Sequence, residues 1–269
     1  MRVLGIDIGS RSVDAVWLED GRVVECAVAD SGFDPQAVAA SFVALGGHDV
    51  VVATGYGRHA ARDRFGCEAV TEIKAYALGA ERLFPEAASV LDIGGQDTKV
   101  IALAPGGRVA DFEMNDKCAA GTGKFLEVMA RALGFELADL GDAALEAASG
   151  VKVSSMCTVF AESEVTGLVH RGEDRRRIAL GLHEAIASRT LSSLKRIGAN
   201  GPLVFAGGVA RNPAMVALIT EGFGGAVLIP EECQTVGAYG AALSVGGSDA
   251  QASSGKQEWR QTGRNTAHT

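Results

Sequence analysis

Two aspartates follow short apolar segments and precede glycines, a pattern that occurs twice in the chain. Asp7 lies in the sequence LGIDIGS and Asp92 lies in SVLDIGGQDT. Glycines let the N–H groups of a turn approach an anion closely, and carboxylates hold hydrated Mg²⁺. A single Asp-Ile-Gly fits an ordinary hairpin turn equally well. The two copies together predict that Asp7 and Asp92 face each other across the phosphates of a bound nucleotide.

These two turns carry the residues expected to hydrolyse the nucleotide. Either Gln96 or Asp97 would orient the attacking water, while N–H groups of the turns stabilise the transferred phosphoryl group. The predicted catalytic residues are Asp7, Asp92, Gln96 and Asp97. The predicted nucleotide contacts in the two turns are Gly9, Ser10, Arg11, Ser12, Gly94, Gly95, Gln96 and Thr98.

A third glycine pair follows a short apolar segment late in the chain, in the sequence VFAGGVARNP at 204–213. This pattern predicts a strand that runs into Gly-Gly and then a helix with Pro213 near its first turn. Two residues without Cβ atoms allow the flat adenine or ribose ring to lie against the backbone. Alone, the segment fits a plain strand-to-helix connection, but its place after two phosphate-type turns favours an adenosine site. The predicted contacts are Gly207, Gly208, Val209 and Asn212.

Two of the five cysteines precede helical patterns. Cys118 lies in the sequence CAAGTGK, and Cys157 lies directly before TVFAESE. The N-terminus of a helix stabilises a thiolate and would equally suit an anionic iron–sulfur cluster. Because a [4Fe–4S] cluster needs four cysteines, a homodimer with the cluster on its two-fold axis would complete the set. Spacing alone favours two small buried residues instead.

The elements that must position these residues form two similar series. The first series is expected to contain strands Val3–Ile8, Val13–Leu18 and Val23–Val28, helix Asp34–Leu45, strand Val50–Thr54 and helix Glu72–Leu83. The second is expected to contain strands Ser89–Ile93 and Lys99–Leu103, helices Gly123–Leu133, Thr158–His170 and Arg176–Ile197, strand Leu203–Ala206 and helix Thr235–Val245. Strands alternating with helices predict an α/β fold of two duplicated lobes around a nucleotide cleft. We expect a first lobe at 1–88, a second at 89–246 and a polar, disordered tail at 247–269.

Composition limits the class of protein. The chain has 269 residues, 47% of them hydrophobic, with a net charge of −8. This acidic balance argues against a general nucleic-acid binder. We find no apolar run long enough to span a membrane and no signal-peptide pattern, and five cysteines cannot all pair in disulfides within one chain. We therefore expect a cytoplasmic protein.

The three glycine-containing segments, in this order, resemble the ribonuclease H-like ATPases: actin, the sugar kinases and Hsp70. Segments 92–99, 115–127, 156–164 and 206–212 further resemble the ATP-dependent activators of 2-hydroxyacyl-CoA dehydratases and the ATPase subunits of benzoyl-CoA reductases. The resemblance implies that Gln234 and the turn before the Gly123 helix lie near the nucleotide. That turn contributes Gly121, Thr122, Gly123 and Lys124.

The same resemblance implies the cofactors and partners. A homodimer, or a pair of related subunits, would hold one [4Fe–4S] cluster through Cys118 and Cys157 of each protomer. ATP, exchanged for ADP and bound with Mg²⁺, would drive the transfer of one low-potential electron from ferredoxin or flavodoxin to an acyl-CoA dehydratase or reductase. Two positions depart from the family pattern: Asp14, where Lys is frequent, and Tyr76, where His is common.

Two other functions fit the same fold. A small-molecule kinase, such as an amino-sugar kinase, would have a substrate pocket and a catalytic base but no cluster. A non-catalytic scaffold gated by nucleotide would have neither. The iron content of the protein separates both from the activator.

Overall fold

Two five-stranded mixed sheets form the framework of the protein, which is a computed structural model describing residues 1–154 and 157–245. The first sheet and its helices contain β1 (Arg2–Ile8), β2 (Ser12–Glu19), β3 (Arg22–Asp30), α1 (Pro35–Ala44), β4 (Val50–Thr54), α2 (Arg58–Phe65), β5 (Glu68–Ala69) and α3 (Glu72–Leu83). The second half contains β6 (Ser89–Ile93), β7 (Thr98–Ala104), β8 (Arg108–Asn115), α4 (Gly123–Leu133), α5 (Leu140–Leu145), α6 (Thr158–His170), α7 (Arg175–Arg196), β9 (Leu203–Ala206), α8 (Pro213–Phe223), β10 (Val227–Leu228) and α9 (Val236–Leu243).

The two sheets have the same topology. Their strand orders are β3-β2-β1-β4-β5 and β10-β9-β6-β7-β8. In each, the first strand pairs antiparallel with the next strand of the chain and parallel with a later one, β4 or β9. β1 and β6 therefore occupy equivalent central positions, and the ends of both strands carry the Asp-Ile-Gly sequence. The predicted α/β class and the duplication are confirmed.

Five elements of the structure were not predicted from the sequence. They are α2, β5, β8, α5 and β10. The strand β8 is exposed over most of its length, so it lacks the alternation of buried and exposed residues that indicates a strand. The helix α2 buries Ala61 alone, and β5 and β10 have two residues each. Short or polar elements give little periodic signal.

The last helix returns to the first sheet. Residues Ala238, Tyr239 and Ala242 of α9 are buried in one cluster with Val3 and Val16. This helix was expected to close the second lobe, at 89–246, but it packs against α3 and the strands β1, β2 and β4. A helix from the end of the chain thus packs on the sheet of the first lobe. The lobe boundaries remain a prediction, and the 247–269 tail lies outside the described residues.

We predict that Gly240→Ala destabilises the fold at the contact between α9 and α3. A Cβ atom at Gly240 would clash with the carbonyl oxygen of Ala75. Neither helix can move away without disturbing the core, so we expect the free energy of unfolding to fall by about 1–3 kcal/mol. The control is Gly167→Ala in α6, where the added Cβ meets the flexible end of Arg171. Equal stability of the two variants in denaturant titrations would contradict this packing.

Candidate functional site

Asp7 and Asp92 occupy the same place in the two sheets. Each is the penultimate residue of its strand, and their side chains are 5% and 1% exposed. The turn that follows is also the same, because the Gly9 N–H donates to the carbonyl of Ser12 and the Gly94 N–H donates to that of Asp97, both at 3.0 Å. The structure therefore builds two equivalent strand ends, each with a buried carboxylate and a tight turn.

The two turns lie directly against each other. A Cβ atom at Gly95 would lie 2.6 Å from Cβ of Arg11 and 3.2 Å from Oγ of Ser10. A side chain at Gly95 would therefore separate the turns. The predicted phosphate-loop residues of the two lobes are thus brought together, as a site between the lobes requires.

Lys99 holds three carboxylates behind these turns. Its side chain is 2% exposed, and Nζ lies 2.9 Å from Oδ2 of Asp92, 2.6 Å from Oδ2 of Asp97 and 2.8 Å from Oε2 of Glu72. Nζ also lies 5.4 Å from the centre of the Tyr76 ring. Glu72 and Tyr76 belong to α3, so this one ammonium group connects the α3 helix to β6 and the second turn.

Neither Lys99 nor Glu72 was among the site residues predicted from the sequence. A signal was available for Lys99, because the hairpin of β6 and β7 places it opposite Asp92. Lysine opposite aspartate on neighbouring antiparallel strands is a favourable cross-strand pair. Glu72 carried no comparable signal, because its approach depends on how α3 packs.

Burial shifts the pKa values of this acidic group. Loss of hydration raises the pKa of Asp7 to about 8 and that of Asp92 to about 6. Burial, with the charge of Asp7 adding to it, also raises the pKa of Asp14 well above its usual value. For Lys99, burial opposes the charged form, but the three carboxylates outweigh it and raise the pKa. A cation bound among these carboxylates would lower their pKa values, because an opposite charge nearby favours the ionised form.

The residues expected to orient water differ in their surroundings. Asp97 is ion-paired with Lys99, whereas the Gln96 side chain is exposed at the tip of the second turn. Thr98 donates from Oγ1 to the carbonyl of Gly121 at 2.9 Å. Asp97 and Thr98 therefore hold the turn in shape, and Gln96 is the predicted water-orienting residue whose side chain is exposed.

The start of α4 binds the second turn rather than presenting open N–H groups. The Gly123 N–H donates to the Gly94 carbonyl at 2.9 Å, and the Lys124 N–H donates to the Gly95 carbonyl at 2.8 Å. A Cβ atom at Gly123 would lie 3.0 Å from the Gly94 oxygen. Gly123 and Lys124 were expected to lie near the nucleotide, and their N–H groups support the turn that would bind it. The hydroxyl of Thr122 donates to the Ala119 carbonyl.

The five cysteines divide into two classes. Cys118 and Cys157 are exposed, and the other three are buried. Burial raises the pKa of Cys67, and it raises the pKa values of Cys26 and Cys233 to about 11. The interpretation of Cys118 and Cys157 as two small buried residues is therefore wrong.

The two exposed cysteines differ in their relation to helices. Cys157 is the N-cap residue of α6, as expected. Cys118 lies in the loop between β8 and α4, because Thr122 caps α4. The Asn115 side chain holds this loop by donating from Nδ2 to the Cys118 carbonyl at 2.8 Å. Within residues 1–154 and 157–245, no group of three or more Cys, His, Asp or Glu residues could hold a metal ion.

The third glycine segment lies beside Asp92. Gly207 follows β9 with φ of +85°, and a Cβ atom there would clash with Oδ1 of Asp92. Its N–H donates to the carbonyl of Cys233 at 2.8 Å. Gly208 begins a 3-10 helix that ends at Arg211 and includes the buried Val209. The backbone at Gly207 thus lies close to the end of β6 and leaves no room for a side chain there.

Two polar side chains near this segment already have protein partners. Oδ1 of Asn212 caps α8 by accepting from the Met215 N–H at 3.0 Å, and its Nδ2 lies 3.1 Å from Nε2 of His183. Oε1 of Gln234 accepts from Arg211 at 3.0 Å. The backbone N–H and carbonyl of Asn212 are also hydrogen-bonded, to Val209 and Val216. A contact of Asn212 with adenosine would therefore be one of packing, because its polar groups have protein partners.

We predict that the protein without metal or nucleotide loses stability as the pH rises. The pKa values of Asp7 and Asp92 are higher in the fold than in the unfolded chain, so folding takes up protons. The stabilisation is complete below the ordinary carboxyl pKa and is lost as the pH rises through about 6 and then about 8. Asp7→Asn should flatten the upper part of this decline in denaturant titrations, and the exposed control Asp111→Asn should not. Identical slopes for the two variants would contradict the assignment.

Three comparisons place this arrangement among known proteins. The chain is 41% identical over 254 residues to the activator of lactoyl-CoA dehydratase from Anaerotignum propionicum, a match that covers 90% of this chain and 96% of that one. The crystal structure of (R)-2-hydroxyglutaryl-CoA dehydratase component A from Acidaminococcus fermentans superposes with a TM-score of 0.84 at 36% identity, over 91% of this chain and 97% of that one.

A second solved structure was determined with a nucleotide analogue. It is the activator of 2-hydroxyisocaproyl-CoA dehydratase from Clostridium difficile with bound ADPNP, similar at a TM-score of 0.83 and 38% identity over 91% of this chain and 94% of that one. The family model described as BadF/BadG/BcrA/BcrD ATPase matches residues 4–245. The chain therefore belongs to the BadF/BadG/BcrA/BcrD ATPase family.

Proposed function

We propose that this protein is an ATPase that activates a 2-hydroxyacyl-CoA dehydratase, or a related acyl-CoA or benzoyl-CoA reductase, by delivering a low-potential electron. One observation carries the proposal: the second phosphate turn is hydrogen-bonded to the start of α4, and the loop before α4 carries the exposed Cys118. The similarity to the dehydratase activators supports the same conclusion. A change at the nucleotide would thus reach a thiol through the backbone.

The site suits ATP as substrate and Mg²⁺ as its counter-ion. Oδ1 of Asp92 is buried without a hydrogen-bond partner in the described chain, and Asp7 is buried at the equivalent strand end. Carboxylate oxygens are the ligands that Mg²⁺ prefers, so the residues fit the ion. Asp7 and Asp92 would hold it through water, and it would neutralise the charge of the phosphates. The turns at Gly9 and Gly94 would bind the phosphates from the two lobes.

The hydrolysis step would depend on Gln96. Its exposed side chain lies at the tip of the turn and would orient the attacking water. Asp97 would act indirectly, since its carboxylate is bound by Lys99 and fixes the turn. The Gly207–Gly208 turn would bind the adenosine, and the contact between Gly207 and Asp92 would join the adenosine end to the phosphate end.

The exposed cysteines suit an iron–sulfur cluster shared between two chains. Thiolates are the usual ligands of a [4Fe–4S] cluster, and one chain offers two exposed thiols at Cys118 and Cys157 where four are needed. Val159 and Phe160, next to Cys157, are 68% and 67% exposed, which favours their burial by a second protomer. We propose a homodimer, or a pair with a related subunit. When bound, the cluster would supply a one-electron carrier.

The contacts between the helices favour a mechanical link from nucleotide to cysteines. The helix α4 is hydrogen-bonded to the Gly94–Gly95 turn and packs against α6, whose N-cap residue is Cys157. A ligand shifts such an arrangement if it contacts the two states differently, and the γ-phosphate of ATP provides a contact that ADP lacks. The Gly94–Gly95 turn would move with the phosphates, and α4 and α6 with the turn.

The partners follow from the proposed activity. The protein would receive electrons from ferredoxin or flavodoxin and pass them to the dehydratase or reductase in the cytoplasm. No helix of the described residues is long and apolar enough to cross a membrane.

The alternative, an amino-sugar kinase of the same fold, gives no reason for two exposed cysteines and is less favoured by the names of the relatives.

We predict that the protein purified without oxygen contains about four irons per dimer. Cys118→Ala and Cys157→Ala should each abolish iron and sulfide binding and the visible absorption, because each removes two ligands from the shared cluster. Cys233→Ala, at a buried cysteine, should retain iron. A colourless wild-type protein that phosphorylates a sugar would refute the activator and establish the kinase.

We predict that Gln96→Ala lowers kcat for ATP hydrolysis by about 100-fold, in the range expected when a group that positions the nucleophile is lost. The affinity for a non-hydrolysable ATP analogue should change little, because Lys99, Asp97 and Thr98 still hold the turn. Steady-state kinetics and calorimetric titration measure the two quantities. Loss of analogue binding with an unchanged kcat would assign Gln96 to binding instead.

A further inference from the structure

The hairpins at the two strand ends have the same register, but the residues that face each other at equivalent positions differ in charge. Asp92 of β6 lies opposite Lys99 of β7, whereas Asp7 of β1 lies opposite Asp14 of β2. Residues opposite each other on antiparallel strands project to the same face of the sheet, with Cβ atoms about 5 Å apart. The second lobe thus places an ion pair where the first lobe places two carboxylates.

Both carboxylates of the first lobe are buried, each residue being 5% exposed. Oδ2 of Asp14 accepts from the hydroxyl of Ser12 at 3.1 Å. Its Oδ1 is buried and has no hydrogen-bond partner among the described residues. A buried carboxylate oxygen without a partner costs free energy, which a bound cation would recover.

The nearby basic groups are committed to other carboxylates. Nζ of Lys99 is ion-paired with Asp92, Asp97 and Glu72. Arg58 donates to the carbonyl of Gly55 and lies 3.4 Å from Oε1 of Glu72. In the part of the chain that the structure describes, neither cation forms an ion pair with Asp7 or Asp14.

Backbone on two sides fixes the Asp7 side chain. A Cβ atom at Gly55 would clash with Oδ1 of Asp7, and one at Gly237 would clash with Oδ2. Both oxygens of Asp7 are therefore held in place by close backbone, on the face of the sheet that also carries Asp14.

We propose that Asp7 and Asp14 together bind a divalent cation of the Mg²⁺ type in the absence of nucleotide. Mg²⁺ is commonly bound by one or two carboxylates and keeps several waters, so a pair of aspartates is a sufficient protein ligand set. The ion would occupy the first lobe before ATP arrives. This goes beyond the proposed function, in which Asp7 and Asp92 position the Mg²⁺ that accompanies ATP, and it does not depend on any dehydratase.

Mn²⁺ titration of the full-length protein, freed of metal and nucleotide, tests the proposal. Electron paramagnetic resonance of free Mn²⁺ should show about one ion bound per chain, as expected for a single site. Asp14→Asn should weaken this affinity about tenfold or more, as loss of a metal-site residue does. The control Asp111→Asn, on the exposed strand β8, should bind as wild type does. Absence of Mn²⁺ binding by the wild type, or equal binding by Asp14→Asn, would overturn the proposal.

Thermal unfolding separates a ligand from a merely structural residue. Without metal, Asp14→Asn replaces a buried carboxyl group by an amide of the same shape that cannot ionise beside Asp7, so its Tm should equal or exceed that of the wild type. At the same concentration, Mn²⁺ should raise the Tm of the wild type more than that of the variant, because the variant binds the ion more weakly. A lower Tm for metal-free Asp14→Asn would assign Asp14 to the hydrogen bond with Ser12 and overturn the proposal. ATP-analogue binding in the same samples tests the proposed function separately.

Discussion

One buried ammonium group determines how the two halves of the site are joined. Nζ of Lys99 neutralises Asp92 and Asp97 at the second turn and reaches Glu72 on α3. Removing Lys99 would leave three carboxylates close together in a poorly hydrated place, a far larger cost than loss of an exposed ion pair. The position of Asp92, the shape of the second turn and the approach of α3 therefore depend on this residue.

The second turn has two structural attachments, and the proposed switch depends on both. On one side, Asp97 is tied to Lys99; on the other, the carbonyls of Gly94 and Gly95 accept the first N–H groups of α4. The helix start therefore follows the turn instead of serving as a separate phosphate site. Because the loop that carries Cys118 leads directly into α4, the backbone itself connects the nucleotide to the exposed thiol. Two hydrogen bonds, of 2.8 and 2.9 Å, join the turn directly to the first residues of α4.

The sequence predicts the parts of the site that depend on local pattern. Asp7, Asp92 and the glycine turns follow from apolar strands that end in Asp-Ile-Gly, and α3, α4, α6 and β9 have the predicted bounds. It does not predict features that depend on packing between distant segments. The return of α9 to the first sheet and the approach of Glu72 to Lys99 are of this kind. The hydrogen bond from the Gly123 N–H to the Gly94 carbonyl also joins distant segments.

The central claim is that the nucleotide state reaches the Cys118 loop through the start of α4. Hydrogen exchange of the anaerobic protein with Mg²⁺ and either a non-hydrolysable ATP analogue or ADP measures this directly. The account predicts that replacing ADP with the analogue changes protection in two segments, 94–99 and 118–126, and that Gly123→Ala confines the change to the first. Altered protection at 94–99 with none at 118–126 in the wild-type protein would contradict it.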